Sequence, residues 1–106
     1  MKFPCLAYGD EKDWAALSKD EQDRLLAQDQ VLLRRGDLVG SVGRPTTVTA
    51  WGGAPRTTAG PFASARAPLA GFSLIEAKDL EEAIQLVALT PCAQAKGAVE
   101  VWPLRE

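Results

Sequence analysis

The 106-residue sequence contains no histidine. This absence excludes Ser-His-Asp and Cys-His catalysis, the usual acid/base group near neutral pH, and the commonest nitrogen ligand of zinc, copper and iron. The two cysteines, Cys5 and Cys92, lie far apart and form neither a metal-ligand spacing nor a dense disulfide framework. We therefore expect reduced thiols, no metal and no cofactor. Any chemistry must use Asp, Glu, Tyr, Arg, Lys or backbone groups.

Long apolar runs and blocks of one charge are also missing. No run approaches the roughly 18 residues that span a bilayer, and charged residues interrupt the N-terminal segment before a signal-peptide core could form. The formal net charge is −2, and the sequence has no basic stripe of the kind that binds a phosphate backbone. We expect a cytoplasmic protein with neither a membrane nor a nucleic acid as its partner.

The composition is that of an ordinary globular domain, with 46% hydrophobic and 25% charged residues. A chain of this length has room for one core, which predicts a single domain over residues 1–106.

Local patterns predict the order strand, helix, meander of short strands, strand, helix, strand. The first helix begins at the capping box Ser18-x-x-Glu21 and ends near Gly36, and the second begins at Asp79 and ends at Pro91. Strands are expected over residues 2–8, 38–42, 69–77 and 98–104, and a hairpin over 46–58 that turns at Gly52-Gly53. Pro4 makes the first strand either an edge at that point or a strand that begins later. This order is typical of a ferredoxin-like α+β sandwich with both helices on one face of the sheet.

Each predicted helix carries an apolar stripe at helical spacing. In the first helix the stripe contains Asp29 in its middle. The stripe residues are Leu25, Leu26, Leu32 and Leu33 in the first helix, and Leu80, Ala83, Ile84 and Val87 in the second.

The sheet is expected to have a second apolar face that the two helices cannot cover. The residues assigned to it are Leu6, Tyr8, Ile75, Trp102 and Leu104. Because soluble monomers rarely expose a patch of this size, we expect a homodimer in which a two-fold mate covers this face.

Two carboxylates are candidates for catalysis. Asp10 follows the first strand, where it could act as a base or hold a cation while Tyr8 donates a hydrogen bond to a ligand. The alternative for this pair is a turn aspartate and a tyrosine at the edge of the core. Asp29 could face an interior pocket with a raised pKa, because burial disfavours its charge. Alternatively, Asp29 pairs with an arginine, or its helix is rotated.

Arginines and tryptophans are weaker candidates. Arg44, Arg56 and Arg66 lie near the hairpin and could bind a carboxylate or phosphate in bidentate fashion, although surface arginines are common. The tryptophans could line an aromatic pocket, but packing in the core or at a dimer interface is the more common use. They are Trp14, Trp51 and Trp102.

Five separated segments, in order, resemble the YCII-related proteins of the DGPF type. They are residues 2–11, Thr46-Thr47-Val48, Gly60-Pro61-Phe62, residues 71–76 and Val99-Glu100-Val101. The resemblance implies a dimeric α/β barrel of two ferredoxin-like protomers and little about activity. In the signature loop, Gly60 and Pro61 set a tight turn and Phe62 offers an apolar anchor, and we expect these three residues to contact a ligand. The signature aspartate is replaced by Ala59, and the histidine of some YCII-like proteins is missing, so neither role carries over.

Three functions remain open at this stage. The first is a small-molecule binding protein with a pocket lined by Tyr8, Asp29, Phe62 and an arginine, either between sheet and helices or at the dimer interface. The second is a lyase or isomerase acting on a small oxygenated or aromatic acid, with Asp10 or Asp29 as base and an arginine as oxyanion partner. The third is a protein-interaction module, which the resemblance links to sigma-factor regulation. The sequence does not identify the ligand or the pathway.

Overall fold

The computed structural model describes residues 1–105 and has a mixed α+β architecture, which confirms the α+β prediction. The described chain contains six strands and four helices. The strands are β1 (Lys2–Tyr8), β2 (Leu38–Ser41), β3 (Thr46–Thr49), β4 (Arg56–Ala59), β5 (Leu69–Glu76) and β6 (Ala98–Val101). The helices are α1 (Glu11–Ala15), α2 (Lys19–Arg34), α3 (Leu80–Val87) and α4 (Pro91–Gln94).

Four of the strands form an antiparallel sheet in the order β2-β5-β1-β6. The central strand β1 runs through Pro4, which pairs with Leu74 of β5 on one side. On the other side β6 ends at Val101, and the Pro4 carbonyl accepts a hydrogen bond from the Trp102 N–H at 2.8 Å. Pro4 is therefore tolerated in a central strand because its missing N–H falls where the neighbouring strand has ended.

One face of this sheet packs on α2 and α3 and forms the core. Phe3 and Cys5 of β1 and Ile75 of β5 are almost completely buried there, together with Leu32 of α2 and Ala83 of α3. The prediction that Ile75 lies on the opposite face is wrong. Its register partner is Phe3, and paired residues in an antiparallel ladder share a face.

The uncovered face of the sheet is apolar, as predicted, although its members differ in part. Leu6 and Tyr8 lie on it as expected, and Phe72 and Leu74 of β5 lie beside them because they pair with Leu6 and Pro4. Several of its side chains remain substantially exposed. They are Leu38, Phe72, Trp102 and Leu104.

The helices begin where the sequence predicts, but their apolar stripes are rotated. Ser18 and Glu21 form the expected capping box, and the Asp79 side chain accepts from the Glu82 N–H at 2.9 Å. The prediction is wrong for half of the stripe residues, because each helix presents only a narrow stripe to the sheet. Leu25, Leu32, Ala83 and Val87 are buried, whereas Leu26, Leu33, Leu80 and Ile84 are about half exposed.

Two short helices were not predicted. In α1 the Asp10 side chain caps the helix by accepting from the Lys12 N–H at 3.0 Å. In α4 Pro91 occupies the first turn, where a missing N–H costs nothing. Pro91 therefore begins a helix, and α3 has already ended at Val87.

Strands β3 and β4 form a separate two-stranded sheet. We use the name arm for this hairpin together with the loop over residues 60–68 that follows it. The predicted hairpin exists, but its strands are shorter and the turn is wider than two residues. Pairing ends at Thr49 and Arg56, and the turn includes a hydrogen bond from the Gly53 N–H to the Ala50 carbonyl at 2.9 Å. The arm gives the molecule extents of 49 × 36 × 20 Å and a radius of gyration of 15.4 Å, against about 13 Å expected for a compact chain of this length.

Candidate functional site

A cleft of about 140 Å³ lies between the core face of the sheet and the helices. The sheet contributes small or apolar residues, among them Ala7, Gly71 and Val99. The helical side contributes Asp29 of α2 and Cys92 of α4, the two titratable groups that line the cleft. The cleft therefore combines an apolar wall with a small polar group of side chains.

Asp29 reaches the cleft because of its position on α2. It follows Leu25 by four residues and precedes Leu32 by three, and both leucines are buried against the core. The helical period that buries these leucines therefore turns Asp29 towards the sheet. Within residues 1–105 no hydrogen-bond donor or basic side chain pairs with its carboxylate, and burial raises its pKa.

Cys92 is held beside Asp29 by close packing of α4 against β1. A Cβ atom on Gly97, just after α4, would lie 2.1 Å from the Tyr8 carbonyl oxygen and 2.7 Å from that of Cys92, so only glycine fits there. Burial raises the pKa of the Cys92 thiol, and the charge of Asp29 raises it further. Cys92 is therefore a neutral thiol at neutral pH and a poor nucleophile.

Hydroxyl groups complete the polar lining of the cleft. Thr90 is buried and already donates its hydroxyl hydrogen to the Val87 carbonyl at 2.6 Å. Ser41 of β2 and Ser73 of β5 also line the cleft. No lysine or arginine does so among the described residues. The arrangement can accept hydrogen bonds and hold a proton on Asp29, but it offers no cationic side chain to an anion.

Tyr8 and Asp10 lie outside the cleft. The Tyr8 hydroxyl donates to Glu100 Oε1 at 3.1 Å on the uncovered face, where Trp102 Nε1 donates to the same oxygen at 3.3 Å. This hydrogen bond to Glu100 is the main reason that the pKa of Tyr8 is raised. Asp10 is occupied as the cap of α1. Of the two predicted carboxylates, only Asp29 lines the cleft.

The other predicted ligand-binding residues lie in the arm or in the segment just before it. Arg44 and Arg56 are exposed, and Phe62 is 80% exposed. Gly60 is buried with φ +104°, and its carbonyl accepts from Thr47 Oγ1 at 2.7 Å, which ties the Gly-Pro-Phe loop to the hairpin. The structure does not bring these residues, or the exposed Pro61 and Arg66, to the cleft. Trp14 lies in α1 and is half-buried, and Trp51 is 87% exposed at the tip of the arm.

Four residues of the cleft lining were not predicted from the sequence: Ser41, Ser73, Thr90 and Cys92. Strand alternation places Ser73 on the same face as Ile75, so the face of Ser73 was available from the pattern. The position of Cys92 could not be predicted from the pattern, because α4 itself was not predicted.

In the described part of the chain, no three Asp, Glu or Cys side chains converge to hold a metal ion. None of the helices there is long and apolar enough to cross a bilayer.

Comparison with known proteins gives two matches. An uncharacterised protein from Rhizobium meliloti (strain 1021) is 32% identical over an alignment that covers 98% of this chain and 92% of the relative. The YCII-related domain matches residues 1–106. The chain therefore belongs to the YCII-related domain family.

Proposed function

We propose that this protein binds a small molecule in the cleft between the sheet and the helices, and that it does so as a homodimer. The observation that carries the ligand-binding proposal is Asp29, a half-buried carboxylate at the wall of an apolar cleft that has no counter-ion within residues 1–105. A group of this kind is costly to keep unless a ligand uses it, and perturbed carboxylates in clefts are common at binding sites.

The volume of the cleft limits the size of the ligand. At about 140 Å³ it resembles an engineered apolar cavity of roughly 150 Å³ that admits benzene. The expected ligand is therefore a compact molecule with one ring or a short chain.

Ligand-observed NMR with a library of such molecules tests this proposal. The matched variants are Ser41→Trp, which places a large ring at an exposed position of the cleft lining, and Ser64→Trp, which places the same ring in the exposed loop of the arm. We expect binding by the wild-type protein and by Ser64→Trp, and its loss in Ser41→Trp. Equal binding by all three proteins would place the ligand elsewhere and overturn the assignment of the site.

The homodimer is supported by an excess of surface. The chain exposes 7686 Å², whereas a monomer of its mass is expected to expose about 5,800 Å². A standard interface buries about 800 Å² on each partner, so the excess is large enough to supply one. The uncovered face of the sheet, with Phe72 and Trp102 exposed, is the surface that a two-fold mate would cover in a dimeric barrel of ferredoxin-like protomers. We also propose that the protein belongs to the DGPF type within the YCII-related family.

Sedimentation equilibrium tests the dimer and its interface together. We expect twice the protomer mass of 11.4 kDa for the wild-type protein and a monomer for Phe72→Glu, which places a charge on the uncovered face. Leu33→Glu is the control, because Leu33 is similarly exposed but lies on the outer side of α2. A dimer that persists in Phe72→Glu and dissociates in Leu33→Glu would assign the interface to the helices instead.

One observation favours an enzymatic alternative. Burial raises the pKa of Asp29, which is the direction that suits a general base working near neutral pH, so a lyase or isomerase would use Asp29 as its base. An arginine as oxyanion partner finds no support, because no arginine lines the cleft in residues 1–105. For this alternative, Asp29→Asn must abolish turnover of any substrate found while leaving its binding measurable.

A further inference from the structure

We infer that the ligand of the cleft is a small organic cation, a primary ammonium group attached to one compact apolar ring or chain. This inference rests on the proposed function, because it assigns a chemical class to the ligand of the same site. It is drawn from the charges, the hydrogen-bonding groups and the volume of the cleft.

The charge of the cleft comes from one side. The two titratable side chains in its lining are Asp29 and Cys92, and both titrate to negative forms. No lysine or arginine lines the cleft among residues 1–105; Arg56 belongs to the arm, and Arg44 lies in the segment just before it. An anionic ligand would therefore meet a carboxylate without a compensating cation, whereas a cation would supply the counter-ion that Asp29 lacks.

The hydrogen-bonding groups of the cleft are also better matched to a donor than to an acceptor. The carboxylate of Asp29 accepts only, and the hydroxyl oxygens of Ser41 and Ser73 can accept. Thr90 has already given its hydroxyl hydrogen to the Val87 carbonyl. A primary ammonium group carries three donors, so it can bind Asp29 and a serine hydroxyl at the same time.

The remaining surface of the cleft determines the rest of the ligand. Leu32, Val39 and Val99 offer apolar contacts and no charge. A small hydrocarbon body fills such a space and excludes water from the ion pair, which strengthens the pair. A free inorganic cation lacks this body, and the described residues offer no cluster of three acidic or thiol ligands to hold one.

The test compares three probes of the same shape and different charge: benzylamine, benzyl alcohol and benzoate. Binding to the wild-type protein is measured by NMR titration at pH 7, with n-butylamine as a second cationic probe. We expect both amines to bind, benzyl alcohol to bind at least about tenfold more weakly, and benzoate not to bind. Because a bound ammonium group favours the ionised carboxylate, amine binding should also release protons in proportion to the fraction of Asp29 that is protonated beforehand.

Two variants assign the effect to one carboxylate. Asp29→Asn should weaken benzylamine binding at least about tenfold and leave benzyl alcohol binding nearly unchanged. Asp23→Asn is the control, because Asp23 is an exposed carboxylate on the same helix, and it should bind both probes as the wild-type protein does.

The outcomes separate this inference from the proposed function. If benzyl alcohol binds in the cleft as tightly as benzylamine, or if Asp29→Asn keeps its affinity for benzylamine, the cationic class is wrong and small-molecule binding stands. If none of the four probes binds at millimolar concentration, and the library also gives no ligand whose binding is lost in Ser41→Trp, both the cationic class and small-molecule binding in the cleft fail.

Discussion

Asp37 offers the sharpest test of how the end of α2 is fixed to the sheet. Its side chain is only 4% exposed, and it accepts two hydrogen bonds, one from Arg35 Nε at 2.9 Å and one from the Glu76 N–H at 3.0 Å. Arg35 also donates to the Glu76 carbonyl through Nη2. These contacts join the C-terminal end of α2 to the last residue of β5, and so hold the helix that carries Asp29.

Replacing Asp37 with alanine removes both hydrogen bonds and leaves the Glu76 N–H without its acceptor. Hydrogen bonds to charged groups contribute about 1.5–3 kcal/mol each, but Arg35 is about one-third exposed and recovers part of this energy from water. We therefore expect the free energy of unfolding to fall by about 2–4 kcal/mol, a large part of the roughly 5–15 kcal/mol of a typical domain. Asp37→Asn keeps one acceptor oxygen and should lose less.

The assay is urea denaturation followed by tryptophan fluorescence at one fixed protein concentration, because the stability of the proposed dimer would depend on concentration. The control is Asp23→Ala, which breaks the exposed 3.3 Å ion pair between Lys19 and Asp23 and should leave stability nearly unchanged. Equal midpoints for the two variants would refute the view that the buried contacts of Asp37 stabilise the junction of α2 and β5.

Three further predictions concern the cleft itself. The pKa of Asp29 is higher in the folded than in the unfolded state, so ionisation of this carboxylate opposes folding, and the free energy of unfolding should fall as pH rises between the two pKa values. Asp29→Asn should flatten this dependence on pH and raise the melting temperature at pH 7. An unchanged slope would contradict the burial of this carboxylate. Leu32 is 1% exposed, so Leu32→Ala should lower the free energy of unfolding, measured by urea denaturation, by about 2–4 kcal/mol. Leu33→Ala, at an exposed position, should change it little. Equal losses would show that the helix is rotated from its described position. Cys92 should react slowly with iodoacetamide at pH 7, as followed by peptide mass spectrometry. The reaction should be faster in Asp29→Asn, because removal of the neighbouring charge lowers the pKa of the thiol. A slower reaction in the variant would contradict this coupling.

Strand alternation and helix capping carried most of the predicted fold. The alternation of β1 correctly predicted that Leu6 lies on the face opposite the core, and the capping box at Ser18 correctly predicted the start of α2. Ile75 was misplaced because both faces of β5 are apolar, so the pattern along one strand does not state which face meets the helices. Only the pairing of Phe3 with Ile75 decides it.

The candidate site could be predicted only in part. Asp29 was identified because a carboxylate inside an apolar stripe is unusual, and its position on the helix follows from local periodicity. Cys92 could not be connected with Asp29, because the contact depends on the unpredicted α4 and on the close approach at Gly97. Tyr8 and Phe62 were predicted to line one pocket with Asp29 because each lies in or beside a sequence motif. In the structure, Tyr8 lies on the uncovered face of the sheet and Phe62 lies exposed in the arm, so neither reaches the cleft.

The most direct test of the binding site is a crystal structure of the protein soaked with benzylamine at saturating concentration. We predict density for one molecule in the cleft between the sheet, α2 and α4, with its nitrogen about 3 Å from the carboxylate of Asp29. Water alone in the cleft, or benzylamine bound only at another surface, would contradict the proposal that this cleft is the binding site.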